Sequence, residues 1–317
     1  MELDRIRGAV AAIDPVFLNS PQYESAALGD ALGCSVTLKV ETLNPVRSFK
    51  GRGTETVMAS LAGRSNGVAA VCASAGKLGQ ALAYSGARRG IGVTVVAARS
   101  ANALKVERMR ALGATVRLEG DDIEDARELA VRIAEDEGAY LVEDSLELAT
   151  CEGAGTIGLE LLEAADELDT LVIALGGGAL ASGVGYVARS LAPQLEVIAV
   201  QPEGAPAMAL SWRSGQVVVT ETMDTIADGV AGRCPIPEVL DDLLVVLDDV
   251  VLVSEDAIKA GMQLLYRHAG LVVEPSAALG VATVLEDPER FAGRRVATIV
   301  CGSNVATSDF ERWALAD

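Results

Sequence analysis

Short, wholly apolar runs alternate with helix-patterned runs along most of this chain, and that alternation restricts the fold more than any other feature. A helix is expected at 4–12, ended by Asp14-Pro15, and another at 53–62. From there the spacing predicts strand 67–73, helix 77–89, strand 92–97, helix 102–112, strand 114–118 and helix 122–136. A second series predicts helix 153–166, strand 170–175, helix 180–191, strand 195–200 and helix 205–213. Helices at 254–268 and 275–285, a strand at 295–300 and a short closing helix complete it. Strands apolar on both faces must be covered on both, which is the situation of a parallel sheet between helices. The expected fold class is therefore α/β: two parallel-sheet lobes with flanking helices and a cleft between them, where ligands of such sheets bind.

The chain has 317 residues, enough for one large or two medium domains. Half are hydrophobic but only 3% aromatic, so the core must be built from Ala, Val, Leu and Ile. A formal charge of −19 argues against nucleic acid or an anionic membrane surface as partner. The longest apolar stretch, 243–253, is broken by Asp248 and Asp249, and the N-terminus is a charged helix start rather than a signal peptide. Cysteines 34, 72, 151, 234 and 301 show no CxxC spacing, as expected of free thiols in a cytoplasmic protein.

Four stretches carry chemistry. In Asn44-Pro45-Val46-Arg47-Ser48-Phe49-Lys50-Gly51-Arg52-Gly53 a lysine sits between an aromatic residue and glycines, straight after the strand-like run 35–40. A pinned, partly desolvated amine of this kind suits Schiff-base chemistry, because burial disfavours its ammonium form. In Leu171–Leu180 an apolar run enters Gly176-Gly177-Gly178-Ala179-Leu180 as a helix opens. Its backbone N–H groups and helix dipole suit a phosphate, although neither the P-loop nor the GxGxxG pattern is present. Ser74-Ala75-Gly76, again between strand and helix, offers N–H groups and a hydroxyl to a carboxylate. The strand ending Val300-Cys301 places a small polar side chain before a Gly-Ser-Asn turn. His268, the sole histidine, reads as a helix C-terminal residue.

Together with Gly155–Glu160, Thr225–Val230 and Glu274–Ala278, these stretches resemble, in order and spacing, the tryptophan-synthase-β-like (fold type II) pyridoxal-phosphate enzymes. The nearest likeness is to the threonine/serine dehydratase and serine racemase branch. The resemblance implies that Lys50 carries pyridoxal 5'-phosphate and takes the substrate Cα proton. It implies that Phe49 lies against the cofactor ring, that Gly176, Gly177, Gly178, Ala179 and Leu180 hold the phosphate, and that Cys301 faces the pyridine nitrogen. Glu274 and Lys77 are further implied cofactor neighbours, and Ser74, Ala75, Gly76 and Gln80 implied substrate neighbours. The implied domains are a large cofactor-binding one (1–50 and 149–317) and a small mobile one (51–148). The implied activity is dehydration of a β-hydroxy amino acid such as L-threonine or L-serine to a 2-oxo acid and ammonia, by a homodimer.

The chain departs from the family pattern at informative places. Lys77 replaces an asparagine, Leu78 commonly a histidine, Gly51 often an isoleucine and Arg47 often a glycine. Ala75 stands where serine racemase carries its second acid/base serine, which favours elimination over racemisation. Gln201 and Ala207 replace the acidic ligands of a divalent cation found in some members, so no metal site is expected. A β-replacement enzyme of cysteine-synthase type and a catalytically weakened cofactor-binding homologue remain the alternatives.

Overall fold

A computed structural model describes residues 1–63, 67–165 and 167–315. Residue 166, which the pattern places at the end of helix 153–166, lies outside them. The described strands are β1 (Gln22–Glu24), β2 (Ser35–Val40), β3 (Ala70–Ala73), β4 (Val93–Ala97), β5 (Thr115–Leu118), β6 (Tyr140–Leu141), β7 (Thr170–Ala174), β8 (Glu196–Pro202), β9 (Asp249–Val253) and β10 (Arg295–Val300). They form a six-stranded sheet in the order β1-β2-β10-β7-β8-β9 and a four-stranded sheet in the order β5-β4-β3-β6. Every pairing is parallel except β1 with β2.

Sequence dictates this arrangement locally. β7 reads Thr-Leu-Val-Ile-Ala and is buried at all five positions, because helices cover both faces. The helix Lys77–Arg89 buries Leu78, Ala81, Leu82 and Ser85, carries arginines in its last turn and stops at Gly90 in the left-handed conformation. The helices Leu148–Ala164 and Ala179–Leu191 pack closely: a Cβ added to Gly183 would lie 2.1 Å from the Cys151 carbonyl oxygen. One apolar core surrounds the larger sheet, with Leu38, Val172, Ile198 and Leu279. Another lies on the smaller sheet, with Met58, Leu82, Val95 and Met109.

Most expected elements fall within a few residues of their places, but several differ. The helix expected from Gly53 begins at Lys50, since the backbone already turns at Phe49. The helix Pro237–Val246 and strand β9 occupy ground where Asp248 and Asp249 break the apolar run. Asp248 accepts the Val197 backbone N–H and the Arg189 guanidinium, so its charge is accommodated at the sheet edge. No described helix is long and apolar enough to cross a membrane.

Candidate active site

The carboxyl ends of β3, β7 and β10 converge on one cavity of about 320 Å³. β3 delivers Ser74, Ala75 and Gly76, β7 delivers Gly176 to Leu180, and β10 delivers Cys301; Phe49, Lys50 and Lys77 also line the cavity. The segments around Lys50 and Cys301 are sewn together directly. The Phe49 N–H donates to the Cys301 carbonyl at 3.1 Å, and the Ser303 N–H donates to the Arg47 carbonyl at 2.9 Å. Phe49 and Lys50 therefore share one cavity with Ala174 and residues 176–180, far away in sequence.

Lys50 opens the helix Lys50–Ala62, and its ammonium stands 4.7 Å from the centre of the Phe49 ring. The turn that carries it is anchored two residues on. Arg52 is fully buried and donates to both carboxylate oxygens of Glu41, at 3.0 and 2.7 Å. It also donates to both oxygens of Glu160, at 2.6 and 2.8 Å. Lys39 adds a 2.6 Å bond to Glu160. Burial works against the Glu160 carboxylate, yet Arg52 and Lys39 outweigh it and hold its pKa down at about 2. A guanidinium fixed by two bidentate partners leaves the first turn of the helix little freedom.

The departures around Lys50 have local causes. A Cβ on Gly51 would lie 2.1 Å from Cε1 of the buried Phe17 ring, so an isoleucine there is excluded. Arg47 has φ 52, the left-handed region that favours glycine, and its carbonyl accepts the Ser303 N–H at 2.9 Å and the Asn304 Nδ2 at 3.3 Å.

The glycine loop ends at the positive N-terminus of the helix Ala179–Leu191. Gly178 has φ 110, and a Cβ there would lie 2.3 Å from Val239. A Cβ on Gly177 would lie 2.7 Å from the Ser145 hydroxyl, which accepts the Ala179 N–H at 3.3 Å. Ser74 Oγ accepts the N–H groups of Gly76 and Gly79, both at 3.0 Å, and so shapes its own loop.

Lys77 reaches across the cleft to Glu274 at 2.5 Å. Burial opposes the Lys77 ammonium, but the carboxylate of Glu274 above all, with that of Asp228 farther off, raises its pKa above the ordinary lysine range. Burial likewise pushes the Cys301 thiol up to about 11, with Lys77 acting against it. Glu274 is itself buried behind the cavity, where its second oxygen accepts the Asn304 N–H at 3.0 Å. Gln80 is also buried and stands off the cavity wall, with its Nε2 unpartnered. Gln201 lines the cavity and spends its carbonyl oxygen on the Ala209 N–H at 2.8 Å.

Sequence reasoning missed three participants. Asp144 pairs with Lys50, Ser145 touches the glycine loop, and Asp228 pairs with Lys105, whose stem lies over Gly76. No short motif marks Asp144 or Ser145, which lie in the loop between β6 and the helix Leu148–Ala164. Thr225–Val230 was the only signal for Asp228.

A family model described as "Pyridoxal-phosphate dependent enzyme" matches residues 13–302. The chain belongs to that family. An L-threonine ammonia-lyase from Thermotoga maritima is 34% identical over 317 residues, covering 98% of this chain and 77% of the relative. A serine racemase from Oryza sativa subsp. indica is 31% identical, covering 96% of this chain and 91% of the relative. The structure of maize serine racemase superposes with a TM-score of 0.91 at 29% identity, covering 98% of this chain and 96% of that one. The donor set here fits pyridoxal phosphate. An amine for its aldehyde, a side-chain-free loop at a helix N-terminus for its phosphate and a neutral thiol for its ring face one cavity.

Proposed function

We propose that this enzyme dehydrates a β-hydroxy amino acid such as L-threonine or L-serine to a 2-oxo acid and ammonia; the Thermotoga maritima relative is named an L-threonine ammonia-lyase. The carrying observation is that Lys50, the glycine loop, the Ser74–Gly76 loop and Cys301 line the same cavity. Bound pyridoxal phosphate supplies the electron sink for the substrate Cα. Lys50 would supply the nitrogen that holds the cofactor, and as a free amine it would be the base that takes the Cα proton. The Ser74–Gly76 loop binds the substrate carboxylate, and residues 176–180 bind the phosphate through backbone N–H groups. Phe49 backs Lys50, and Cys301, protonated at neutral pH, leaves the ring nitrogen without a positive charge. The methyl of Ala75 provides no proton donor on the opposite face, which favours elimination over racemisation.

The lobe spanning 51–148 carries Lys105 and Lys77, which hold Asp228 and Glu274 on the other side of the cleft, and we read it as the lobe that moves with substrate. A homodimer and a cytoplasmic location belong to the same reading; the five cysteines are all free. Light scattering tests the dimer. The activity is tested by incubating cofactor-loaded protein with L-threonine and L-serine and assaying 2-oxo acid; no product from either overturns the reading. The Lys77 ammonium inside the cavity favours one rival, a cofactor-binding homologue with little turnover. That rival predicts cofactor absorbance without 2-oxo acid, and faster turnover in Lys77→Asn.

A further inference from the structure

We infer that Asp144 is the positioning residue for Lys50, orienting its amine in the cleft and stabilising the nitrogen when it is protonated. The inference rests on the reading that Lys50 carries the cofactor. Lys50 is the base of the proposed reaction only while it is a free side chain, and a free lysine on a four-carbon stem needs something to aim it. In this structure that partner is the Asp144 carboxylate, which pairs with Lys50 through Oδ2. Oδ1 of Asp144 is buried without a hydrogen-bond partner, although Asp144 lines the same cavity as Lys50. A buried carboxylate oxygen left unsatisfied carries a desolvation cost; Glu55, Glu124 and Glu255 share it, but of these four only Asp144 lines the cavity and pairs with the reactive amine, whereas Glu160 and Glu274 have partners on both oxygens.

The backbone around Asp144 is fixed. Its carbonyl accepts the Thr150 hydroxyl, and the next carbonyl, Ser145, accepts the Cys151 thiol at 3.6 Å. The carboxylate is therefore presented by the start of the helix Leu148–Ala164, which packs on the helix carrying Lys50; a Cβ on Gly53 would lie 2.8 Å from the Thr150 carbonyl oxygen.

Among the described residues no other charged group takes this role. Lys77 and Glu274 satisfy each other, and Asp228 at the mouth is held by Lys105. The buried thiols that feel the charges of the pair are neutral at working pH. Burial pushes Cys72 and Cys151 up to about 12, with the Asp144 charge adding to each, and Cys301 up to about 11. Asp242 acts weakly on Cys151 from farther off. Asp144 takes up no proton in this role. It pairs with the ammonium formed when Lys50 accepts the Cα proton, and the proton inventory of the reaction is unchanged.

The test uses the pH titration of the visible band of the cofactor bound at Lys50. A carboxylate beside that nitrogen favours its protonated form, so Asp144→Asn moves the band's midpoint down by about one pH unit. Asp144→Glu, which keeps the charge, retains the wild-type midpoint. The same Asn variant lowers kcat by about tenfold or more while KM changes little, as expected of a residue that aims the base and strengthens its pairing as Lys50 becomes protonated without touching the substrate. An unmoved midpoint in Asp144→Asn, or equal shifts in the Asn and Glu variants, overturns the inference. Asp144→Ser replaces the Asn variant if that protein does not fold. Should wild-type protein show no band, the cofactor reading fails and the Asp144 inference is still decided by the rate of competitive acetylation of Lys50 at one fixed pH. There Asp144→Asn, which releases the amine from its partner, must make Lys50 react faster, and an unchanged rate rejects the inference.

Discussion

Replacing Glu274 by glutamine removes the counter-charge of a lysine that has nowhere else to go. The Lys77 side chain is 11% exposed and that of Glu274 3%. The ammonium is boxed in on its far side as well, since a Cβ on Gly229 would lie 2.0 Å from Nζ. Breaking a buried pair from one side costs about 3–5 kcal/mol, because an uncompensated charge remains. Glu274→Gln is expected within that range. Lys77→Met is expected to cost less, since the orphaned carboxylate still accepts the Asn304 N–H. The double variant removes both desolvation penalties, so its loss should fall short of the sum of the singles by about 2 kcal/mol. Urea unfolding of the four proteins, with equal m-values, measures all three quantities. Glu274→Gln within about 1 kcal/mol of wild type, or additive single losses, would refute the claim that this pair is largely buried and mutually dependent.

Two further outcomes follow from the anchoring of Lys50. Gly51→Ile forces side-chain atoms into the Phe17 ring and should lower stability by about 2–3 kcal/mol or more, measured by thermal unfolding, with Phe17→Ala recovering part of the loss. Glu160 has a folded-state pKa of about 2 against an ordinary 4.5, so its stabilisation is complete above the unfolded value and is lost as pH falls through the folded one. That difference corresponds to roughly 3 kcal/mol. Urea midpoints at about pH 7 and pH 3 should therefore lie closer together in Glu160→Gln than in wild type.

What the sequence displayed of this fold was its local part. β3, β4, β7, β8 and β10 are short runs of small branched residues, and such runs have few other ways to be satisfied than burial in a sheet. β1 and β6 are too short to carry a period, and β9 is opened by Asp249, whose charge finds Arg290 at 2.7 Å only after folding. The same division runs through the active site. Lys50, the glycine loop and Cys301 stand in recognisable local settings. Asp144 does not, because its partner is 94 residues away and nothing adjacent to it requires a carboxylate. Arg52 likewise looks like a surface cation until Glu41 and Glu160 close around it. Burial of charge is a tertiary property, and it is the property that fixes the lysine.

Two lysines, Lys50 and Lys77, line the cavity, and the account requires that only the first carries the cofactor. Reducing the cofactor-loaded protein with borohydride and mapping the pyridoxyl group by peptide mass spectrometry tests this most directly. The label is expected on Lys50, with the visible band lost in Lys50→Ala and retained in Lys77→Asn. A label on Lys77, or no covalent label in protein that binds the cofactor, would contradict it.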